Sequence, residues 1–357
     1  MIIYMDKQYG FYELFNEENG TLIRGDVDGR DPECRSFPEL LDVGIMGHCH
    51  SGSYCSDAGI DCYQRGRNQK VPHMSLADFE QIARQASGKV FQIALGGAGD
   101  PNKHPDFEEI LKICRYYRIV PNVTTSGLEI TVEEIRLIKQ YCGAVAVSWY
   151  SRLIDEKESN YNTLRTVNRL VEAGCTTNVH FVISKETLDE AIIRLEKNLF
   201  PKGLNALVFI LYKPIGEGVE EKSLSANDAR LNRFFETVSQ KHPYKIGFDT
   251  CFTPALLRFG RSIHPSSIDA CEAATFSMYI DSQMNCHPCS FGIWDDGIVE
   301  SLRTKTIKEV WDGKQFSGLR DRRKEKCIDC NMAQMCRSGC LLDIDIDLCT
   351  PLYDDSK

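Results

Sequence analysis

Short apolar runs alternate with longer amphipathic segments from residue 38 to about residue 250. Strand candidates, largely apolar and mostly containing β-branched residues, lie at 40–46, 89–95, 119–125, 144–150, 177–183 and 206–212. Runs of this kind are typical of strands buried on both faces of a parallel sheet. Six strand–helix units at roughly 30-residue spacing predict a parallel sheet with right-handed crossovers, either open or closed into a partial barrel.

The amphipathic segments carry signals for the starts and ends of helices. Capping pairs are predicted for Ser75 with Asp78, Thr131 with Glu134, and Thr187 with Glu190. Glycines that predict helix ends are Gly88, Gly143 and Gly174. These signals place a helix after most of the predicted strands.

The two ends of the chain do not follow this pattern. Residues 1–36 predict a polar hairpin extension around the turn signals NEENG and DVDG. Residues 37–245 form the predicted barrel. Residues 246–357 carry nine of the sixteen cysteines. This last region predicts a smaller domain that is held together by metal because it builds little core of its own.

Charge and hydropathy exclude several classes of function. The chain of 357 residues has a net charge of −9 and no basic stripe, so we expect no nucleic-acid partner. No apolar run approaches the ~18–20 residues of a membrane span, so we expect no membrane partner. The N-terminus also lacks the features of a signal peptide. We therefore expect a cytoplasmic protein, whose thiols stay reduced.

The unusual residues follow the ends of the predicted strands. The sequence GHCHSGSYCSDAGIDCYQRG (47–66) follows the first strand, and GGAGDPNKHP (96–105) follows the second. Later strands end in TTSG (124–127), SWYSR (148–152) and YKPIGEG (212–218). Ligands of parallel barrels bind at the carboxyl edge of the strands, so these loops predict one shared site.

The cysteines cluster along the chain, whereas buried structural cysteines would be scattered. Three lie in 49–62, three in 271–289 and five in 327–349. The last group has the spacing C-x2-C-x5-C-x3-C-x8-C. Clustered cysteines in a reduced compartment indicate metal, and this spacing fits both an iron–sulfur cluster and a four-thiolate zinc site.

This C-terminal pattern, with two cysteines upstream, resembles the seven-cysteine SPASM motif of radical S-adenosylmethionine (SAM) enzymes. The resemblance implies an α/β fold, in which a partial (β/α)6 TIM-like barrel precedes a C-terminal SPASM domain with two auxiliary [4Fe–4S] clusters. By motif position, the first cluster would be bound by Cys271, Cys289 and Cys340, with Cys286 and Cys251 as candidates for its fourth ligand. The second would be bound by Cys327, Cys330, Cys336 and Cys349. The glycine usual in the upstream hairpin is absent, and Met284 and Asn285 occupy that turn.

The loop 47–66 resembles the cluster loop of the same family, because its three cysteines follow the first strand and Tyr63 follows the third cysteine. The resemblance implies that Cys49, Cys55 and Cys62 are the catalytic ligands of a [4Fe–4S] cluster whose fourth iron binds SAM. The spacing here is C-x5-C-x6-C, whereas the family usually has C-x3-C-x2-C. His48 and His50 flank Cys49, either as ligands or as hydrogen-bonding residues.

Other loops match the family positions that contact SAM. The segment GGAGDP resembles the family's GGEP-type motif, with Asp100 where glutamate is usual. The resemblance implies SAM-binding roles for Tyr63, Gly96, Gly97, Asp100, Ser126 and Ser148. A tight turn would equally explain the glycines, and a structural polar role would explain each serine. The segment Tyr212–Pro214 resembles the family's turn near adenine.

The resemblance leads to our main functional hypothesis, an enzyme that cleaves SAM and modifies a ribosomally made peptide by crosslinking, epimerisation or backbone splicing. It implies a precursor peptide as substrate, a separate small leader-recognition protein, and a flavodoxin or ferredoxin as reductant. One alternative is a radical SAM enzyme that acts on a small molecule or on a folded protein such as a sulfatase. Another is a non-catalytic iron–sulfur protein for electron transfer.

Overall fold

The structure, a computed structural model, describes residues 1–18, 20–154, 157–260, 262–264, 267–294, 299–340, 342, 346 and 348–349. The strands within these residues are β1 Ile2–Asp6, β2 Phe11–Phe15, β3 Leu22–Asp26, β4 Leu40–Met46, β5 Gln92–Gly97, β6 Val120–Thr125, β7 Val145–Ser148, β8 Leu153–Ile154, β9 Lys157–Glu158, β10 Thr177–Ile183, β11 Ala206–Leu211, β12 Lys245–Phe248, β13 Ser277–Ile280, β14 Asn285–His287 and β15 Glu300–Ser301.

The main sheet has ten strands in the order β12-β11-β10-β7-β6-β5-β4-β13-β14-β15. All neighbours from β12 to β13 pair in parallel, and the strands from β13 to β15 pair antiparallel. The predicted α/β fold with a parallel sheet is therefore confirmed. The hairpin β13–β14 extends the same sheet beyond β4, and the predicted boundary at residue 245 falls at the start of β12.

The six predicted strands all form. Two of them, 40–46 and 177–183, have the predicted bounds, whereas β5 begins three residues later than predicted, at Gln92. The preceding residues, Lys89–Phe91, make turn and crossover hydrogen bonds instead, including a bond from the Phe91 amide to the Glu39 carbonyl oxygen. An apolar run predicts a buried strand but does not indicate where its pairing begins.

The helices lie between the strands. They are α1 Tyr54–Asp57, α2 Leu76–Ala86, α3 Phe107–Tyr116, α4 Val132–Tyr141, α5 Tyr161–Glu172, α6 Leu188–Glu196, α7 Arg230–Val238, α8 Thr253–Phe259, α9 Ile307–Trp311, α10 Lys314–Asp321 and α11 Ala333–Cys336. None of the described helices has the length and apolarity that crossing a lipid bilayer requires.

Two of the three predicted capping pairs are confirmed. The Ser75 side chain caps α2 by accepting the Asp78 amide, and Thr131 forms a full capping box with Glu134 at α4. The prediction for Thr187 with Glu190 is wrong. The Thr187 hydroxyl donates instead to the carbonyl oxygen of Val182, at 2.7 Å. Glu190 binds Arg152 from another part of the chain and Arg194 four residues on in the same helix, so ion pairs replace the cap.

The predicted helix ends at glycine are confirmed at two positions. Gly88 follows α2 and Gly174 follows α5, both with positive φ, as helix-ending glycines usually have. Gly143 serves a different purpose, because a Cβ at this position would lie 2.6 Å from Cγ1 of Val120. Its amide donates to the Pro121 carbonyl oxygen, so this glycine allows a close approach to β6.

The N-terminal extension is larger than the predicted hairpin. Strands β1, β2 and β3 form a three-stranded antiparallel sheet, so the prediction of two strands was one strand short. Phe15 of this sheet stacks on Phe91 with ring centroids 5.2 Å apart. Glu13 pairs with Arg35 at 2.7 Å, and both side chains are fully buried. Arg35, itself part of the extension, also donates to the Lys89 carbonyl oxygen at 2.6 Å, so this bond and the Phe15–Phe91 stack fasten the extension to the rest of the chain.

Candidate active site

The loop 47–66 leaves β4 at the carboxyl edge of the sheet and returns across its own beginning. The Cys49 amide donates to the Gly66 carbonyl oxygen at 3.0 Å. A Cβ at Gly66 would lie 1.9 Å from the Ala98 carbonyl oxygen and 3.0 Å from Cβ of Cys49. The loop therefore closes tightly onto the end of β5, which requires glycine at position 66.

The thiols of this loop influence one another electrostatically. Burial raises the pKa of Cys55 to about 12, and negative charge on Cys49, Asp100 and Cys62 raises it further. Burial also raises the pKa of Cys62, opposed by the backbone amides of Gly66 and Gln64. The three thiols therefore lie within electrostatic reach of one another, and a bound cation would favour their thiolate forms.

The described thiols do not have the close spacing that a single tetrahedral ion imposes. A tetrahedral zinc with bonds of about 2.3 Å draws its sulfurs to within about 4 Å of one another. Among the described residues, His48, His50 and His73 are the three potential ligands whose metal-binding atoms all lie within 4.8 Å of one another. No three thiols in that part of the chain meet this spacing. A [4Fe–4S] cluster binds each thiolate through a different iron and so accepts wider spacing.

Hydrogen bonds explain why the three histidine side chains lie together. The His48 Nδ1 lies 2.8 Å from the Val71 carbonyl oxygen and donates to it. The Gly47 amide donates to Nδ1 of His73, so the neutral ring carries its proton on Nε2, 3.3 Å from Nε2 of His50. Burial, with the neighbouring histidines, lowers the pKa of His73 to about 4 and keeps it neutral. The histidines thus brace the loop around Cys49.

Asp100 and Ser126 meet beside the cysteine loop. The carboxylate of Asp100 accepts the Ser126 amide at 2.6 Å and also its hydroxyl. Burial raises the pKa of Asp100, whereas the two bonds from Ser126 lower it. The charge of Asp100 also raises the pKa of Cys55, so the carboxylate lies within electrostatic reach of that thiol. The structure therefore brings these two predicted SAM-binding residues together.

The two predicted glycines lie at the end of β5 and differ in role. A Cβ at Gly96 would meet nothing within 4 Å, so this backbone borders open space. Gly97 has φ +116, and a Cβ there would lie 2.5 Å from the Met46 carbonyl oxygen. Gly97 therefore serves a close approach of β5 to β4, and Gly96 leaves room for a ligand.

Ser148 ends β7 and contacts the site through Tyr150. Burial raises the pKa of Tyr150 well above its ordinary value, and charge on Cys55 adds to this, while a hydrogen bond with Ser148 lowers it. The ring of Tyr54 lies 6.2 Å from that of Tyr150. Sequence reasoning missed Tyr54, although an aromatic residue next to Cys55 within the loop was a usable signal.

Tyr63 connects the loop to the C-terminal region. Its ring packs on Phe291 with centroids 4.7 Å apart. Burial raises the pKa of Tyr63 to about 12, and the charge of Asp42 on β4 contributes. Burial also raises the pKa of Asp42 itself to about 7. Sequence reasoning missed Asp42; an acidic residue inside an otherwise apolar buried strand was the signal.

The first predicted auxiliary set also comes together. Burial raises the pKa of Cys271 to about 12, with charge on Cys289 and Cys340 adding to it. Cys251 shares a side-chain hydrogen bond with Cys340, which together with burial raises the pKa of Cys251. Cys251 lies on the turn Thr250–Phe252, directly after β12. Four thiols from distant parts of the chain are therefore linked by these electrostatic contacts.

Cys286, the other candidate for the fourth ligand, lies elsewhere. It is fully buried in the core on β14. Burial and the charges of Asp281 and Glu300 raise its pKa, and no cysteine is among the groups that influence it. The geometry therefore favours Cys251 over Cys286.

The remaining predicted ligands lie in one short segment. Cys327 ends a 3-10 turn, the Cys330 amide donates to the Cys327 carbonyl oxygen at 3.3 Å, and Cys336 ends α11. Cys349 follows the fully buried Leu348. The chain thus places the four residues of the second set near the C-terminal end of the described chain.

Three consecutive residues with positive φ join the two auxiliary sets. Arg337, Ser338 and Gly339 have φ of 52°, 74° and 65°. Non-glycine residues adopt this conformation at a cost, which is tolerated where the surrounding structure requires it. This left-handed turn carries the chain from Cys336 to Cys340, which belong to different predicted clusters.

The hairpin turn that lacks the usual glycine keeps its conformation. Met284 has φ 71° and is fully buried, and its carbonyl oxygen accepts the Leu302 amide at 2.8 Å. A left-handed residue is therefore still present at this turn, and core packing offsets the strain of a side chain there.

Residues 271–331 match the model of the SPASM family, described as an iron–sulfur cluster-binding domain. The chain carries a SPASM domain. The match spans Cys271, Cys286, Cys289, Cys327 and Cys330. It confirms the C-terminal part of the predicted resemblance and the iron–sulfur chemistry expected there.

Known proteins resemble nearly the whole chain, both the barrel and the SPASM domain. The mycofactocin maturase MftC of Mycobacterium ulcerans (strain Agy99) is 22% identical over 321 residues, covering 85% of each chain. The crystal structure of Streptococcus suis SuiB superposes with a TM-score of 0.72 at 17% identity, covering 98% of each chain. The structure of anSMEcpe with bound AdoMet gives 0.63 at 15% identity, covering 88% of each chain. These similarities confirm the predicted fold of a radical SAM enzyme with a SPASM domain.

Proposed function

We propose that this protein is a radical SAM enzyme that modifies a ribosomally made peptide. The observation that carries the proposal is the set of three interacting thiols at the carboxyl edge of the barrel, beside Asp100 and Tyr150. When bound there, a [4Fe–4S] cluster with SAM supplies a 5′-deoxyadenosyl radical that abstracts hydrogen from unactivated carbon. The residues of the chain orient the two groups and keep water away.

Cys49, Cys55 and Cys62 would hold three irons of this cluster. Asp100 would orient the amino group of SAM, since its carboxylate is fixed by two bonds from Ser126 and lies among buried residues. Gly96 leaves open space for the cofactor. Tyr150, Ser148 and Tyr63 would complete the wall around it.

The SPASM domain would hold two auxiliary clusters. Cys251, Cys271, Cys289 and Cys340 would bind the first, as their mutual electrostatic influence supports. Cys327, Cys330, Cys336 and Cys349 would bind the second, as the predicted motif implies. Cys286 is left out of both sets.

A groove beside the cysteine loop supports a peptide as substrate. It has a volume of about 540 Å³ and lies between residues 64–71 and the hairpin β13–β14. Its lining includes the amide side chains Gln64, Asn68, Gln69, Gln283 and Asn285. Side-chain amides offer both donors and acceptors, which matches an extended peptide backbone. SuiB has been crystallised bound to its precursor peptide SuiA, and MftC is named a maturase.

We further propose two partner proteins. A separate small protein would recognise the leader of the precursor peptide, as the family resemblance implies. A flavodoxin or ferredoxin would supply the electron that starts each reaction.

The test is anaerobic reconstitution with iron and sulfide, followed by SAM, dithionite and a synthetic precursor peptide with its partner protein. We expect 5′-deoxyadenosine, a mass change in the peptide, and none of either with the Cys55→Ala variant. Absence of 5′-deoxyadenosine from protein that contains all its iron would contradict the proposal and favour an electron-transfer protein.

The similarity to anSMEcpe supports a second candidate, an enzyme that acts on a residue of a folded protein. The structures of anSMEcpe include one with bound AdoMet and the Cp18Cys peptide, at a TM-score of 0.62. Peptides carrying a sulfatase-type sequence should be modified in this case, and the precursor peptide should not.

A further inference from the structure

Lys213 is a buried cation directly after β11. Its side chain is 2% exposed and pairs with Asp249 at 2.8 Å. Its Nζ also donates to the Leu211 carbonyl oxygen at 2.9 Å and lies 4.3 Å from the ring centre of Phe291. These contacts hold the ammonium group in one position, and burial makes a charged group costly unless it is compensated.

The charge of Lys213 acts on the thiols of the first auxiliary set. Burial by itself lowers the pKa of Lys213, but negative charge on Asp249, Cys251 and Cys340 raises it overall, so the group stays protonated. In return, Lys213 lowers the pKa of Cys251 and of Cys289. The contacts of Lys213 place its charge beside two of the segments that carry these thiols, since Asp249 lies two residues before Cys251 and Phe291 lies two residues after Cys289.

The segment 212–218, which contains Lys213, also contacts the active-site cysteine loop. The Glu217 amide donates to the Cys62 carbonyl oxygen at 3.0 Å, and Arg65 donates to the Gly216 carbonyl oxygen at 2.9 Å. A Cβ at Gly216 would lie 2.3 Å from the Tyr63 carbonyl oxygen. The segment 212–218 is thus a bridge between the two proposed metal centres, with Lys213 at the auxiliary end.

We propose that Lys213 is a positioning residue that raises the reduction potential of a [4Fe–4S] cluster bound by Cys251, Cys271, Cys289 and Cys340. The inference rests on the proposed cluster at these thiols. Reduction adds one electron and one negative charge to a cluster, and a nearby fixed cation stabilises the reduced form more than the oxidised form. The low polarity around a buried ammonium group strengthens this effect.

Asp249 provides a second test, because its negative charge lies next to the positive charge of Lys213 and should shift the reduction potential in the opposite direction. One of its carboxylate oxygens accepts the Lys213 ammonium group at 2.8 Å, and the other accepts the Leu211 amide at 3.3 Å. Removing the carboxylate leaves the cation uncompensated, so the potential should rise. If the ion pair were only structural, Lys213→Gln and Asp249→Asn would lose the same stability. They would not shift the reduction potential of the cluster in opposite directions.

The test is a redox titration followed by EPR in the full chain. All variants carry the Cys49→Ala, Cys55→Ala and Cys62→Ala background, which removes the SAM-binding cluster. We expect Lys213→Gln to reduce the ratio of reduced to oxidised cluster at least about tenfold at fixed potential, a downward shift of about 59 mV for one electron. Asp249→Asn should shift the potential upward, and Lys213→Arg should restore the parent value. Lys112→Gln, which removes an exposed charge on α3, is the matched control and should change nothing.

Iron content separates the two possible failures. If the background variant holds about eight irons and loses about four when Cys251 becomes Ala, the cluster is present. Unchanged potentials in Lys213→Gln and Asp249→Asn would then overturn the inference alone. If Cys251→Ala loses no iron, the proposed cluster itself is wrong. Thermal unfolding of each variant identifies any potential shift that comes from misfolding, and recovery by Lys213→Arg excludes that explanation.

Discussion

The loop 47–66 and the first auxiliary set assemble their thiols in different ways. The loop supplies Cys49, Cys55 and Cys62 from one short segment between β4 and α2. The proposed auxiliary set would take Cys251, Cys271, Cys289 and Cys340 from four segments. A local site is encoded by spacing along the chain, whereas an assembled site exists only after the barrel and the SPASM domain have packed.

Because of this difference, we expect metal binding to stabilise the fold to a different extent at the two sites. Metal in the loop closes a short segment that is already anchored to the sheet by Gly66 and Gly97. Metal at the assembled site joins distant segments, which removes more freedom from the unfolded chain. Metal at the assembled site should therefore stabilise the fold more.

The largest expected effect is on activity. Changing Cys49, Cys55 and Cys62 together to Ala should remove about four of roughly twelve irons and abolish 5′-deoxyadenosine formation, because only the local site is lost. Iron analysis and chromatography of the reaction measure both. Cys175→Ala is the control, since Cys175 is buried in the barrel away from either set. Loss of all iron from the triple variant would mean that the two sites depend on each other.

Two single variants decide whether Cys251 or Cys286 is the fourth ligand of the assembled site. Cys251→Ala should remove about four irons and lower the thermal unfolding midpoint by several degrees. Cys286→Ala should keep all iron and destabilise the core by about 1 kcal/mol. Iron content with a thermal melt of each variant decides, and the reverse result would return Cys286 to the ligand set.

Iron-free protein should lose stability at high pH. The thiols of both sites have raised pKa values in the folded chain, for example about 12 for Cys55 and Cys271 and about 11 for Cys289. Unfolded thiols release their protons near pH 8.5, so the stability present below that pH is lost as the pH rises towards the folded values. Urea unfolding between pH 7 and pH 10 measures this decline. Constant stability over that range would show that the thiols are not buried together.

The smallest expected effect is on stability, when one glycine in the cysteine loop and one in the left-handed turn are each changed to alanine. Gly59 of the loop and Gly339 of the left-handed turn have φ of 73° and 65°. Alanine should cost about 1 kcal/mol at either position because of the strained backbone. Gly339→Ala should also lower the iron content of the SPASM domain, because Gly339 lies between Cys336 and Cys340. Equal iron loss at the auxiliary clusters in Gly59→Ala would contradict the separation of the two sites.

Much of the barrel was predictable because its signals are local. An apolar strand, a capping box such as Thr131 with Glu134, and cysteines a few residues apart all act within one turn or one loop. The same reasoning failed at Thr187, where Glu190 pairs with Arg152, far along the chain, and with Arg194 on its own helix instead of completing the cap. It also missed the third N-terminal strand, whose pairing has no strong pattern of its own.

The sequence by itself determined the parallel α/β strands, the cysteine motif of the SPASM domain and the three-cysteine loop, because each depends on residues close together along the chain. Only the tertiary structure decided that Cys251 hydrogen-bonds Cys340, that Asp100 bonds Ser126, and that Lys213 pairs with Asp249. Those contacts join segments far apart in sequence, and their geometry follows from how the strands order in the sheet and how the two regions pack.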